Sequence, residues 1–266
     1  MALPAPHPDR TALVTGASSG IGAAIARELA KRGHGLTLVA RRASLLEALA
    51  DELRAEYDVK VDAITCDLGV ASERWDLLSA LAESGREVSI LVNNAGFATG
   101  GRFVDTDIAR ELEQVRVLVE AVVHLTAATL PGMVERGEGA ILNVASTAGF
   151  QPLPWSAGYS AAKAHALTFS EALHQEVGPR GIAVTALCPG PVRTEFWENA
   201  PGQPMKQALP RPMWVSTSKV AAAGVRGLER GRRVVVPGRA VQLSSFGSRW
   251  TPHSIQLPMT RRAMHP

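Results

Sequence analysis

Seven short, apolar, β-branched runs recur along the chain, each separated from the next by a segment of helical character. This alternation restricts the fold more than any other feature. The runs are TALVT (11–15), GLTLVA (35–40), VKVDAIT (59–65), SILVNNA (89–95), GAILNVA (139–145), GIAVTALC (181–188) and RRVVVP (232–237). Strands joined by helices of crossover length pair in parallel, and their nearly continuous apolar character means that both faces of the sheet are covered. The expected architecture is a doubly wound α/β fold with a seven-stranded parallel sheet. A chain of 266 residues with 46% hydrophobic and 20% charged content can bury such a core. No linker divides the series, so residues 1–266 read as a single domain. Two stretches break the pattern: a Pro/Gly-rich segment at 195–215, expected to be a substrate lobe, and a tail from 238 to 266.

Charge and cysteine content narrow the partners. The net charge is +3 and the isoelectric point is close to 9.1. The basic residues are dispersed apart from pairs such as Arg41-Arg42, Arg232-Arg233 and Arg261-Arg262. A nucleic-acid footprint needs a concentrated basic stripe, so none is expected. Cys66 and Cys188 both close apolar runs and read as reduced, buried thiols, in keeping with a cytoplasmic protein. The start MALPAPHPDRTALVTG carries no apolar core of signal-peptide length. The most membrane-like run, Val117 to Val134, contains Glu120, His124 and Pro131 and reads as a buried amphipathic helix, so no transmembrane segment is expected. No metal is called for.

In open α/β sheets ligands bind at the carboxyl ends of the strands, beside the reversal of strand order. TGASSGIG follows the first strand there and leads into a helix. Gly16, Gly20 and Gly22 allow a tight turn and close backbone approach to a pyrophosphate, whose charge the helix N-terminus attracts. The spacing G-x-x-x-G-x-G varies the better-known dinucleotide fingerprint; alone it also fits an ordinary glycine turn or a loop for another nucleotide-like cofactor. The second strand ends in Ala40-Arg41-Arg42, with no acid between Leu36 and Ser44. An acid there would bind the ribose 2′-hydroxyl of NAD, whereas arginine suits the extra phosphate of NADP. Exposed arginines at a helix start are also common on solvated faces.

YSAAK (159–163) places Tyr159 and Lys163 one helical turn apart on one face. A cation beside the phenol is expected to draw its pKa below the ordinary value of about 10 and make it a usable proton donor. Alone, the spacing also fits an exposed pair on a surface helix. Ser146 closes the fifth strand thirteen residues earlier, where strand end and helix start can bring both hydroxyls to one carbonyl oxygen. Together with TGASSGIG, with NNAG at 93–96 and with PGPVRT at 189–194, this combination closely resembles the short-chain dehydrogenase/reductase family, in its NADP-preferring form, over roughly residues 11–195.

The resemblance implies a Rossmann-type fold and an NADP(H)-dependent oxidoreductase that interconverts a ketone or aldehyde and an alcohol. Tyr159 would be the acid/base. Lys163 would lower its pKa and bind the nicotinamide ribose, and Ser146 would orient the substrate oxygen. Ser18, Ser19 and Ile21 join Gly16, Gly20 and Gly22 around the cofactor. Arg41 and Arg42 take the 2′-phosphate. Asp67 and Leu68 approach the adenine, and Asn94, Ala95 and Gly96 line the adenosine and ribose. Pro189, Gly190, Val192 and Thr194 hold the nicotinamide end, and a homodimer or homotetramer built on helices 110–136 and 156–178 is implied. One departure stands out, because the family's fourth catalytic residue is an asparagine supporting a water chain from the lysine, and Leu118 aligns there. The chain then either keeps this helix regular or uses Gln114, one turn earlier, to anchor the water. Two readings follow: a working carbonyl reductase, or a weak or inactive dinucleotide-binding scaffold or sensor of the same fold. Phe150, Leu153, Pro154 and Trp155, with Phe196, Trp197, Met205, Met213 and Trp214, suit a hydrophobic small-molecule carbonyl or alcohol or pack the lobe and an interface. The tail covers the site, joins a subunit or touches a membrane surface.

Overall fold

In a computed structural model of the chain the described residues are 3–197, 213–251 and 253–264. Most of segment 195–215, Met205 among it, and the side chain of Trp197 lie outside them. Seven strands form one sheet: β1 Arg10–Thr15, β2 Leu36–Ala40, β3 Val61–Thr65, β4 Glu87–Asn93, β5 Gly139–Val144, β6 Ile182–Leu187 and β7 Val234–Val235. They are all parallel, in the order β3-β2-β1-β4-β5-β6-β7. The edge strands are shorter than their apolar runs, and β7 is only two residues long because it pairs on one side alone and Pro237 has no N–H to offer.

Side chains alternate across each strand, and here both sides are dry. Ala12, Val14, Leu38, Ile90 and Leu142 face one helical layer, made by α1 (Gly20–Ala30), α2 (Ala43–Tyr57) and α7 (Thr217–Glu229). Leu13, Val39, Leu91, Ile141 and Val184 face the other, made by α3 (Ala71–Glu83), α5 (Ala121–Arg136) and α6 (Ala157–Val177). This explains why the strands read as uninterrupted apolar runs. Two more helices, α8 (Arg239–Trp250) and α9 (His253–Met264), make up the tail.

Helix α4 (Ile108–Val115) runs into α5 through a single π-helical segment, Arg116–Glu120, in which the Ala121 N–H donates to the Arg116 carbonyl five residues back. The helix around Leu118 is therefore not regular, contrary to the first of the two alternatives drawn from the sequence. The run Ile108–Arg136 is the one helix among the described residues long and apolar enough to cross a membrane. In this fold Leu125 and Met133 from it are fully buried against the sheet.

The strand order reverses between β1 and β4, so their carboxyl ends diverge into separate loops and open a crevice. A buried clamp ties the two ends together. Thr15 Oγ1 donates to the Val92 carbonyl at 3.1 Å and accepts the Asn94 and Ala95 N–H groups at 2.9 and 3.1 Å. Asn94 Nδ2 donates to the Thr15 and Gly16 carbonyls at 2.9 and 3.2 Å. Asn94→Ala removes that donor from two carbonyls at the sheet's edge. The substitution is expected to lower unfolding free energy by about 1–3 kcal/mol, as a fall in denaturation midpoint at unchanged slope; a midpoint equal to that of the wild type would contradict the clamp.

Candidate active site

The crevice at the reversal point has a volume of about 800 Å³, within the range of cofactor and substrate sites. Each sequence-derived site residue lines it except Gly22. Gly22 lies behind the turn, where a Cβ would run into the Gly16 carbonyl and the Asn94 amide, so its role is to let helix and strand close up. Gly16 has φ +63°, and a Cβ there would come within 2.7 Å of the Ala95 backbone. The turn between β1 and α1 thus needs glycine for conformation and for space. It directs the N-terminus of α1 at the crevice, where an anion is favoured.

The far end of that turn is charged. Arg42 Nε and Nη2 donate to Ser18 Oγ at 3.2 and 3.1 Å, and Nη2 also donates to Ser19 Oγ at 2.6 Å. Its Nη1 donates to Glu195 at 2.8 Å. Arg41 Nη1 donates to Glu113 at 3.2 Å and stands 3.6 Å from the Asp67 carboxylate. The turn after β3 is braced from α3: the Asp67 N–H donates to Glu73 at 2.6 Å, and buried Arg74 donates to the Leu68 carbonyl at 2.6 Å. These contacts shape the wall that Asp67 and Leu68 present to the crevice. Asn94, by contrast, spends its amide on the β1 carbonyls, so its first role is structural.

The other end carries the hydroxyls and the amine. Ser146 follows β5 and accepts the Ala148 N–H at 3.1 Å, which starts a short 3₁₀ turn, Thr147–Phe150. That turn lies so close to α6 that a Cβ on Gly149 would approach the Lys163 carbonyl to 2.6 Å. The Thr147 N–H donates to the Pro189 carbonyl at 3.0 Å, joining the ends of β5 and β6. Tyr159 and Lys163 both rise from α6 into this corner.

Electrostatically the corner differs from the sequence-based expectation. Burial pushes the Tyr159 phenol up to about 12, with a hydrogen bond from Ser146 opposing the shift. Burial also pushes Lys163 down to about 8. Lys163 Nζ donates to the Val144 carbonyl at 2.7 Å and lies 5.8 Å from the centre of the Tyr159 ring. The expected lowering of the phenol by Lys163 is therefore absent, because the ammonium is turned to the backbone of β5 and desolvation dominates both groups.

Leu118 is buried, and its methyl fills the space left by the missing side chain of Gly96: a Cβ there would lie 2.6 Å from Leu118 and 3.9 Å from Lys163 Nζ. Gln114 packs close to Gly158, the neighbour of Tyr159 in α6. It is fully buried, its Oε1 accepts the Thr99 N–H at 2.9 Å, and its Nε2 has no hydrogen-bond partner among the described residues.

Tail helix α8 forms part of the wall, with Val241, Ser244 and Ser245 in the crevice and Val241 packed on Gly190. Of the apolar candidates, Leu153, Phe196 and Met213 line the crevice, whereas Phe150 packs into the core beneath. Trp155 joins Tyr159 around buried Ala148 and Leu153, at a strained φ of +60°. Glu195 was not foreseen, since its contact with Arg42 spans 153 residues and leaves no local signal.

A parallel sheet whose reversal point opens between a glycine turn and a serine–tyrosine–lysine corner defines an oxidoreductase of the dinucleotide-fold type. The sequence family described as short chain dehydrogenase matches residues 10–204. A very-long-chain 3-oxoacyl-CoA reductase of Anas platyrhynchos is 38% identical over 189 residues, which are 70% of this chain and 60% of that reductase. A short-chain dehydrogenase from Sphingobium yanoikuyae, solved in complex with NADPH, superposes with a TM-score of 0.80 at 36% identity, covering 94% of this chain and 95% of that one. The bulky-bulky ketone specific alcohol dehydrogenase from Comamonas testosteroni superposes with a TM-score of 0.77 at 32% identity, covering 96% and 95%. The chain belongs to the short-chain dehydrogenase family.

The buried phenol yields a direct measurement. The chain has two tyrosines, so the phenolate absorbance of wild type minus that of Tyr159→Phe reports Tyr159 alone. A pKa of about 12 favours the protonated form throughout the range below it. At pH about 11 the unliganded protein should show roughly a tenth of Tyr159 ionised, where an ordinary tyrosine would be roughly nine-tenths ionised. A difference titration centred near or below the ordinary value would contradict the desolvated site.

Proposed function

We propose that this chain is an NADP(H)-dependent reductase of bulky, hydrophobic ketones, or the dehydrogenase of the matching alcohols. One observation carries the reading: a single crevice holds Arg41 and Arg42 at one end and Ser146, Tyr159 and Lys163 at the other. The donors fit the group, with a glycine turn and helix N-terminus for pyrophosphate and guanidinium groups for a 2′-phosphate. When bound, the cofactor supplies or takes the hydride. Ser18, Ser19, Gly20 and Ile21 would border its phosphates, Asp67 and Leu68 its adenine, and Ala95 and Gly96 its ribose. Pro189, Gly190, Val192 and Thr194 would border the nicotinamide. The NADPH complex of the Sphingobium relative supports this choice.

The chain's own residues manage the proton. Ser146 holds the substrate oxygen, and Tyr159, protonated across the neutral range, donates to that oxygen as charge develops on it. Lys163 keeps two N–H donors beyond the one given to Val144 and offers them to the ribose hydroxyls. In the oxidising direction the phenolate form of Tyr159 would take the alcohol's proton. Leu153, Phe196, Met213 and Val241 give the substrate end apolar walls. The ketone specificity stated for the Comamonas relative and the acyl-CoA chemistry stated for the Anas reductase both support a large apolar substrate.

A second reading has an observation of its own. Leu118 puts a methyl against Gly96, in the corner that Lys163 shares, where the family's amide is expected, which suits a chain that binds dinucleotide and turns over slowly or not at all. One experiment separates the two. NADPH oxidation with a panel of bulky ketones should be measurable for the wild type and fall by about 100-fold or more in Tyr159→Phe, with NADPH affinity within about threefold. Cofactor binding without turnover on any ketone would favour the scaffold.

We also propose a homo-oligomer, dimer or tetramer. Ile108, Leu112, Val115 and Val123 are exposed along one long helix, and Phe103 and Val104 stand just before it. A stripe of that size on a lone chain is costly to leave in water. Light scattering at micromolar concentration should give a mass at least twice 28.2 kDa. Replacing Leu112 and Val115 with glutamate should yield folded monomer, and a monomeric wild type would overturn the assignment.

A further inference from the structure

The guanidinium assigned above to the 2′-phosphate already carries an anion, and that anion belongs to the chain. Three edges of Arg42 are occupied. Two serines of the glycine turn take Nε and Nη2, and the Glu195 carboxylate takes Nη1 at 2.8 Å. The serines pin the guanidinium across the turn that receives the pyrophosphate. Glu195 then sits on the remaining edge, inside the same crevice. Arg42 holds the Glu195 carboxyl below its usual range, first by the hydrogen bond and then by charge.

Arg41 differs from Arg42 in this respect. Its partner Glu113 is also paired with Arg110 at 2.5 Å, and Asp67 belongs to the adenine wall, so that network stays charge-compensated with a ligand in place.

We propose that Glu195 is a specificity-determining residue: its carboxylate stands in for the 2′-phosphate on Arg42, and a 2′-phosphorylated dinucleotide has to displace it. A dinucleotide without that phosphate leaves the pair intact. This inference rests on the proposed assignment of Arg42. An exposed ion pair is weak, and a phosphate carries more charge than a carboxylate, so the phosphate wins the exchange at reduced affinity. The turn that carries Glu195 also borders the substrate end. Glu195 and Phe196 share a three-residue 3₁₀ turn, and the Phe196 ring stands 5.7 Å from the ring of Tyr159.

Calorimetry on the full chain with adenosine 2′,5′-bisphosphate and adenosine 5′-monophosphate tests this without turnover. Wild type should prefer the bisphosphate. Glu195→Gln, isosteric and at an exposed position, should tighten the bisphosphate by about three- to tenfold and leave the monophosphate within about twofold. In an Arg42→Ala background the same substitution should change neither ligand by more than about twofold. Equal gains for both ligands, or a bisphosphate no tighter in Glu195→Gln than in wild type, overturn the inference while leaving Arg42 in place. A wild type without preference for the bisphosphate overturns the Arg42 assignment and the inference with it.

Discussion

The hydroxyl of Thr15 and the amide of Asn94 hold the molecule together where it is most open. Reversal of strand order forces the ends of β1 and β4 apart into different loops, and buried backbone groups at such an opening need partners. Thr15 and Asn94 supply them across the gap, accepting two N–H groups and donating to three carbonyls. The glycine turn, the aim of α1 and the spacing of both crevice walls follow from that closure. Gly22 shows how tight it is, since the asparagine amide fills the place of any side chain there.

A second polar bracket sets the serine–tyrosine–lysine end. Asn93 donates to Asn143 at 2.8 Å, and Asn143 donates to Ser170 at 2.8 Å, so β4, β5 and α6 are joined through a fully buried chain of amides and a hydroxyl. Lys163 adds its own bond to Val144, one turn from Tyr159. Rigid support of this kind fixes Ser146 and Tyr159 relative to each other, and the hydroxyl of Ser146 hydrogen-bonds the phenol. The same burial acts oppositely on the two titratable groups, raising the phenol and lowering the amine, because each moves toward its uncharged form.

Glu195 and Phe196, adjacent in one turn, face Arg42 and the Tyr159 phenol from the two ends of the crevice. With α8 closing the wall through Val241, the crevice is built from segments at the beginning, middle and end of the chain. The tail that had no assigned place in the sequence pattern is therefore part of the site wall.

Local pattern was enough to read the seven strands, the parallel pairing and the glycine turn, because period, apolar run length and turn chemistry are properties of a few neighbouring residues. The crevice-lining residues around Gly16, Arg42, Ser146 and Tyr159 were legible for the same reason, as short motifs at strand ends. Other features were decided only in three dimensions. Leu118 pairs with Gly96 through volume, Gln114 accepts the Thr99 N–H, and Glu195 meets Arg42 across 153 residues. The direction of the tyrosine's pKa shift belongs with them. Spacing puts a lysine near a phenol, but whether charge or desolvation governs the pair depends on where the ammonium points and how much water remains, and only packing determines that.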